Sequence, residues 1–220
     1  MLEILIKGGI LCAVMLAESV LSWAVVFDRW RAFRENDKVD VRSLRAKVMR
    51  LLREDDLDGA CKLCASTPGP VSSVMLAGLQ AYGRHRDKAS SPEALRQLVE
   101  DSLEDSTYAA TKAIESRLNL LSFVGNSAPL FGMTGTVTGM IKSFEAMGSA
   151  GALKGAAVAV GISEALITTA VGLLVAMAAV IPFHYFTSRS GKVEEEIHEA
   201  GVEMLDFVTL RAAEKRAAKA

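Results

Sequence analysis

Three long apolar stretches constrain this chain more than any other feature. The first runs from about Gly8 to Phe27, with Glu18 the only charge inside it. The second runs from about Leu118 to Ile141 and contains no charge. The third runs from about Ala156 to Phe186, with Glu164 its only acid. A membrane-spanning helix needs ~20 predominantly apolar residues, so all three stretches read as spans. The third is longer than needed and is expected to tilt or to continue beyond the bilayer. Half of the 220 residues are apolar, yet 23% are charged. Spread evenly, that mixture would put apolar surface in water; here the two kinds are segregated along the chain.

The first stretch has Glu3 near its start and Lys7 as its one preceding basic residue, and it runs on into Phe27-Asp28-Arg29-Trp30 without a small-residue cleavage site. It reads as a retained anchor and not as a removable signal peptide. Basic residues set the expected orientation. Arg29, Arg31, Arg34, Lys38, Arg42 and Arg45 follow the first stretch, Lys112 and Arg117 precede the second, and Arg189 and Lys192 follow the third. Lys7, Lys142 and Lys154 are the few basic residues at the other ends. The expected layout is a first span over 1–28 with a periplasmic N-terminus and a cytoplasmic helical domain over 29–117. A second span over 118–146, a periplasmic loop over 147–156, a third span over 157–186 and a cytoplasmic C-terminal helix over 187–220 follow. The fold class is an all-α membrane protein with three transmembrane helices and long helices extending from the membrane. Trp23 and Trp30 flank the inner end of the first span, where indoles favour the headgroup region.

Between the first two stretches the pattern is helical. Val41, Leu44, Val48, Leu51 and Leu52 form one apolar stripe, and Val71, Val74, Met75, Leu79 and Tyr82 another, on either side of the break at Pro68-Gly69-Pro70. Ser90-Ser91-Pro92-Glu93 is a helix start, with Ser91 as cap and Pro92 at the first helical position. No Pro or Gly follows until Gly125, so one helix is expected to run from Pro92 into the second span. Cys61 and Cys64 form a CxxC, but Leu57, Ala60, Cys61 and Cys64 fall at helical spacing. They read as small buried groups, and no second Cys/His pair completes a metal site. No phosphate loop, nucleophile elbow, HExxH or dinucleotide fingerprint occurs. The expectation is a non-enzyme without cofactor or metal, and the net charge of −1 gives no reason to expect nucleic acid.

The second and third stretches are rich in small residues. Gly125, Ser127, Gly132, Gly135, Gly139 and Ser143 recur in one, and Ala157, Gly161, Ala165, Thr168, Gly172 and Ala176 in the other. Small residues near four-residue spacing let helix backbones approach closely in lipid. Glu164 stands apart from packing. A carboxylate about two turns into a spanning helix is costly unless neutral, hydrated or paired, and the chain offers no obvious intramembrane Lys or Arg partner for it. It is expected to face an aqueous path or a partner. Thr168 shares its face, Thr169 lies slightly around the helix, and Thr136 and Thr138 add hydroxyls from the second span. Such hydroxyls pass a proton or order water, or else bond their own helix backbone. Glu18, near the middle of the first span, is a partner contact, a proton acceptor or a structural hydrogen-bond partner. Pro129 and Pro182 each remove a backbone donor and favour a kink.

Two segments carry a resemblance. Gly132-Met133-Thr134-Gly135-Thr136-Val137-Thr138-Gly139-Met140 resembles the GLxGTVxG segment, and Gly161-Ile162-Ser163-Glu164-Ala165-Leu166-Ile167-Thr168-Thr169-Ala170-Val171-Gly172-Leu173 resembles the GIAEALxATAxGL segment, of the ExbB/TolQ branch of the MotA/TolQ/ExbB proton-channel family. The close match covers about residues 125–190. The resemblance implies a homopentamer in the bacterial inner membrane. Its central pore holds two copies of a single-span ExbD- or TolR-like partner, which works through a TonB- or TolA-like protein on outer-membrane transport or envelope maintenance. It implies that Glu164, Thr136 and Thr169 line the proton path. From their placement in the spans, Thr168, Thr138 and Glu18 are expected as secondary pore or partner contacts. Thr138 stands where that pattern usually has a bulky aromatic, and Thr168 where it has alanine. MotA-type stator subunits have four spans, and here one span precedes the inner domain. The competing expectations are a non-conducting scaffold and a solute or ion transporter acting alone; no inverted repeat supports the latter.

Overall fold

The computed structural model describes residues 9–89, 91–150 and 155–217. Glu3, Lys7, Ser90 and Lys154, used above, lie outside them, as does the middle of the expected 147–156 loop. The described residues form six helices and no strand: α1 (Gly9–Asn36), α2 (Val41–Arg53), α3 (Leu57–Ser66), α4 (Pro70–His85), α5 (Pro92–Ala150) and α6 (Gly155–Ala217). They fall into two compact units. One takes the described residues of Met1–Arg29 and Ser116–Thr187; the other takes those of Trp30–Glu115 and Ser188–Ala220.

Local chemistry sets the short helices. Asp40 accepts a hydrogen bond from the Ser43 amide at 3.2 Å and caps α2. Asp56 accepts from the Gly59 amide at 2.8 Å and caps α3. Each satisfies one of the amides that a helix start leaves without an intrahelical partner. Gly69 precedes α4 at φ 137°, where a side chain would be strained, and Pro70 follows at the first helical position. Ser91 caps α5 as the sequence predicts, accepting from the Ala94 amide at 3.1 Å.

The unit containing α2–α4 is built on the predicted stripes. Val41, Leu44, Val48 and Leu52 are buried, and so are Val71, Val74, Met75, Leu79 and Tyr82. Leu95, Val99 and Leu103 of α5 are buried at four-residue intervals, and Val193, Ile197, Ala200, Met204 and Val208 of α6 at three- or four-residue intervals. A Cβ on Gly78 would come within 2.6 Å of Leu103 and 2.7 Å of the Met204 sulfur, so α4 meets both long helices closely there. Tyr82 and Phe207 pack edge to face with centroids 6.0 Å apart. Arg45 of α2 bonds Glu199 and Glu203 of α6. The Arg211 guanidinium reaches the Arg53 carbonyl at 3.2 Å, placing a cation on the C-terminus of α2, where the helix dipole favours it. Cys64 is buried and burial pushes its thiol up to about 11, as befits an inert packing group and not a reactive one.

Two helices, Ile10–Asn36 and Val158–Arg211, are long and apolar enough to cross a membrane. The second expected span, over 118–146, is helical within α5 but falls short on composition. Asn119, Asn126, Pro129 and the recurring Gly and Thr residues dilute its hydropathy. Helix α5 persists to Ala150, past the point where the sequence suggests a loop, and α6 passes from the third apolar stretch into the C-terminal stretch without a break. Pro129 and Pro182 both sit inside continuous helix.

Candidate proton-pathway site

The unit that holds the apolar stretches is organised by a seam of small residues between α5 and α6. A Cβ on Gly172 would lie 2.7 Å from the Ala128 carbonyl oxygen and 3.1 Å from the Gly132 Cα. Backbone there packs directly on backbone, which only glycine allows. Further along, Gly135 lies against Thr168, Gly139 against Ala165, and Gly161 against Ser143; in the other direction, Gly125 lies against Val180. As one number rises the other falls, so the helices run antiparallel in a single register. Val124, Ala128, Val175, Ala176 and Ala179 form a buried cluster at the same contact. The small-residue stripes read from the sequence are this seam.

Glu164 stands at the edge of the seam. It is half-buried, next to buried Ala165, while Ile162 and Leu166 on either side are exposed. Among the described residues no side chain donates to its carboxylate or pairs with its charge. Thr168, one turn on, is buried against Gly135 and donates its hydroxyl to the Glu164 backbone carbonyl at 2.9 Å. The hydroxyl of Thr136 donates to the Met133 carbonyl at 2.7 Å, and that of Thr138 to the Thr134 carbonyl at 2.9 Å. These three hydroxyls are therefore engaged with their own helices. Thr169 is different: it donates across the seam to the Gly132 carbonyl at 2.8 Å.

The candidate residues thus divide between two sides of the seam. Ala165 and Thr168 face α5, and five residues of helix set Glu164 and Thr169 about 140° apart, on opposite shoulders of that contact. Thr169 reaches the Gly132 carbonyl, one helical turn before Thr136 on α5. Glu164 keeps Thr168 as its neighbour instead. One chain does not gather Glu164, Thr136 and Thr169 into a single polar cluster.

Glu18 lies away from these residues along both sequence and structure. It is 7% exposed, and its Oε1 accepts a hydrogen bond from the Ser127 hydroxyl at 2.7 Å. The Ser22 hydroxyl donates to the Glu18 backbone carbonyl at 2.9 Å. Cys12, Met15, Glu18 and Ser22 are all buried and follow one another at three- or four-residue spacing, so they are the face by which α1 packs. At the end of this stretch, Asp28 accepts from Arg117 at 2.5 Å and from Arg29 at 2.8 Å, a second polar tie between α1 and α5. In the sequence Ser127 reads as a small residue and Arg117 as an orientation signal. Glu18, the only charge in its apolar stretch, is the signal that a polar group must meet it, but the sequence does not say which.

Residues 66–199 match the MotA/TolQ/ExbB proton channel family. The chain belongs to that family. It is 33% identical over 180 residues to the Tol-Pal system protein TolQ of Pseudomonas aeruginosa, covering 80% of this chain and 76% of that protein. It is 26% identical to the TolQ of Haemophilus influenzae over 89% of this chain and 87% of that one. Against the biopolymer transport protein ExbB of Neisseria meningitidis it is 29% identical over 82% of this chain and 81% of that one. The family match includes the whole seam, from Gly125 to Val180, and Glu164 with it. The resemblance drawn from the two short segments is thereby extended to most of the chain, within the TolQ and ExbB branch.

Proposed function

We propose that this chain is the ExbB/TolQ-like subunit of an inner-membrane proton-channel motor. In this reading it crosses the membrane three times, with the N-terminus periplasmic and the C-terminus cytoplasmic. It assembles as a homopentamer around two copies of an ExbD- or TolR-like single-span protein. Proton flow past Glu164, Thr136 and Thr169 then energises a TonB- or TolA-like protein, for outer-membrane transport or envelope maintenance. Thr168 and Thr138 are secondary contacts near the path.

The observation that carries this reading is the situation of Glu164. A seam that closes backbone on backbone leaves one carboxylate on its shoulder, half-buried, with no charge partner among the described residues. An acid in a spanning helix that packing does not require is a functional group by default. Its separation from Thr136 and Thr169 within one chain fits a path completed by neighbouring copies. The large exposed side chains Leu130, Met133, Val137, Phe144, Leu166 and Leu174 fit the same picture, since they need lipid or a neighbour to cover them.

The test is a strain in which Glu164→Ala replaces the wild-type chain. Growth on scarce iron and resistance to detergent are both scored, with membrane level and partner co-purification measured in the same cells. The expected result is loss of one phenotype while the complex still assembles, and the phenotype lost identifies the process driven. Full function in both assays at normal protein level would remove Glu164 from the path and leave a scaffold.

A further inference from the structure

The Glu18 carboxyl is the one buried acid that the proposed path does not use. Its side chain is more than nine-tenths buried, and its second oxygen, Oε2, is sealed from solvent with no hydrogen-bond partner. An ionised carboxylate has two oxygens and about four lone-pair positions to satisfy. Here one donor, Ser127, meets one of those oxygens. The other nearby hydroxyl, Ser22, is already spent on the backbone carbonyl of Glu18 itself.

No charge is in place to compensate an anion. The facing stretch of α5, Leu118 to Ile141, contains no ionisable side chain, and neither does α6 between Ala165 and Phe183. The nearest ionisable groups in sequence on those helices are Arg117 and Lys142 on α5, and Glu164 and His184 on α6. On α1 itself they are Cys12, a buried thiol, and Asp28, which is bonded to Arg29 and Arg117. A charge sealed in such a place without partner or solvent is far more costly than a neutral polar group.

We propose that Glu18 is a second proton-binding position, held as the neutral acid between α1 and α5 with Oε1 accepting from Ser127 and the proton on Oε2. It is separate from Glu164 in position and in kind. Glu164 is half-buried at the edge of a seam; Glu18 is enclosed, and its proton serves to let α1 dock. The inference stands on the burial of Glu18 and not on the role assigned to Glu164.

Infrared difference spectra of the full chain in lipid vesicles at neutral pH test it. Wild type minus Glu18→Gln is expected to show the loss of one carboxylic-acid carbonyl band. In Ser127→Ala that band is expected to move to higher frequency, because its carbonyl loses the hydroxyl donor. Carboxylate stretching bands in place of the acid band, or an acid band that Ser127→Ala leaves unmoved, would overturn the proposal. Should Glu18→Gln fail to accumulate, Ser127→Ala alone reads the same band, by shift or absence of shift. Glu164→Ala run alongside keeps the two carboxyls apart, so a failed pore assignment leaves this result standing.

Discussion

In the unit formed by Trp30–Glu115 and Ser188–Ala220, the buried side chains are large: Val48, Met75, Leu79, Ile197 and Met204 fill its centre. In the unit formed by Met1–Arg29 and Ser116–Thr187, the contact between α5 and α6 is made mostly of small residues, Gly, Ala, Ser and Thr, with a few valines. The first arrangement works where water surrounds the protein, because removing big apolar groups from water is what stabilises it. The second is what remains in an apolar solvent. Burying a leucine gains little there, and close backbone approach takes over. Polar ties differ in kind: Arg45 pairs with Glu199 and Glu203 in one unit, while the other pairs Asp28 with Arg29 and Arg117 at the end of its apolar stretch and encloses Glu18 with a single hydroxyl donor.

Truncation of a large buried residue should sharpen this contrast most. Leu79→Ala removes a fully buried side chain and is expected to cost about 2–5 kcal/mol. Hydrogen exchange should show it as lost protection in α4 and its neighbours, while peptides of the seam stay protected. Next comes one added methyl. Gly172→Ala pushes a Cβ onto the Ala128 carbonyl and is expected to cost about 1–3 kcal/mol in the melting of the purified protein. On the same helix, Gly191 has nothing within 4 Å of its would-be Cβ, so Gly191→Ala should gain about 0.4–1 kcal/mol. Equal effects at the two sites would break the comparison.

The smallest effect concerns Glu199. The hydrogen bond from Arg45 holds its carboxyl below the ordinary value of 4.5. A depressed acid adds stability above its unfolded value and loses it as pH falls through the folded one. Denaturant midpoints should therefore drop on acidification below about pH 4.5, and Glu199→Gln should flatten part of that drop.

The two units were not equally legible in the sequence. The stripes at Val41–Leu52 and Val71–Tyr82, the Ser91 cap and the long run from Pro92 are all found as read, because an amphipathic pattern is written in the contrast between water and core. Small-residue stripes said that α5 and α6 would meet closely, but not in which register. Nothing in the sequence could show that Thr169 bonds across to Gly132 while Thr136 bonds back to Met133, since both are threonines set in small-residue stretches. Nor could spacing alone show that Glu18 meets Ser127, 109 residues away. The periodic pattern fixes a face; the partner on that face is set by tertiary packing.

Helix α6 runs 63 residues from Gly155 to Ala217 without an interruption. At about 1.5 Å per residue that is on the order of 95 Å of helix path. No loop interrupts the sequence between Glu164 and the stretch that carries Glu199 and Arg211. The one rung missing from its hydrogen-bond ladder is at Pro182, which has no amide proton to give. A helix that bends does so most readily at such a position.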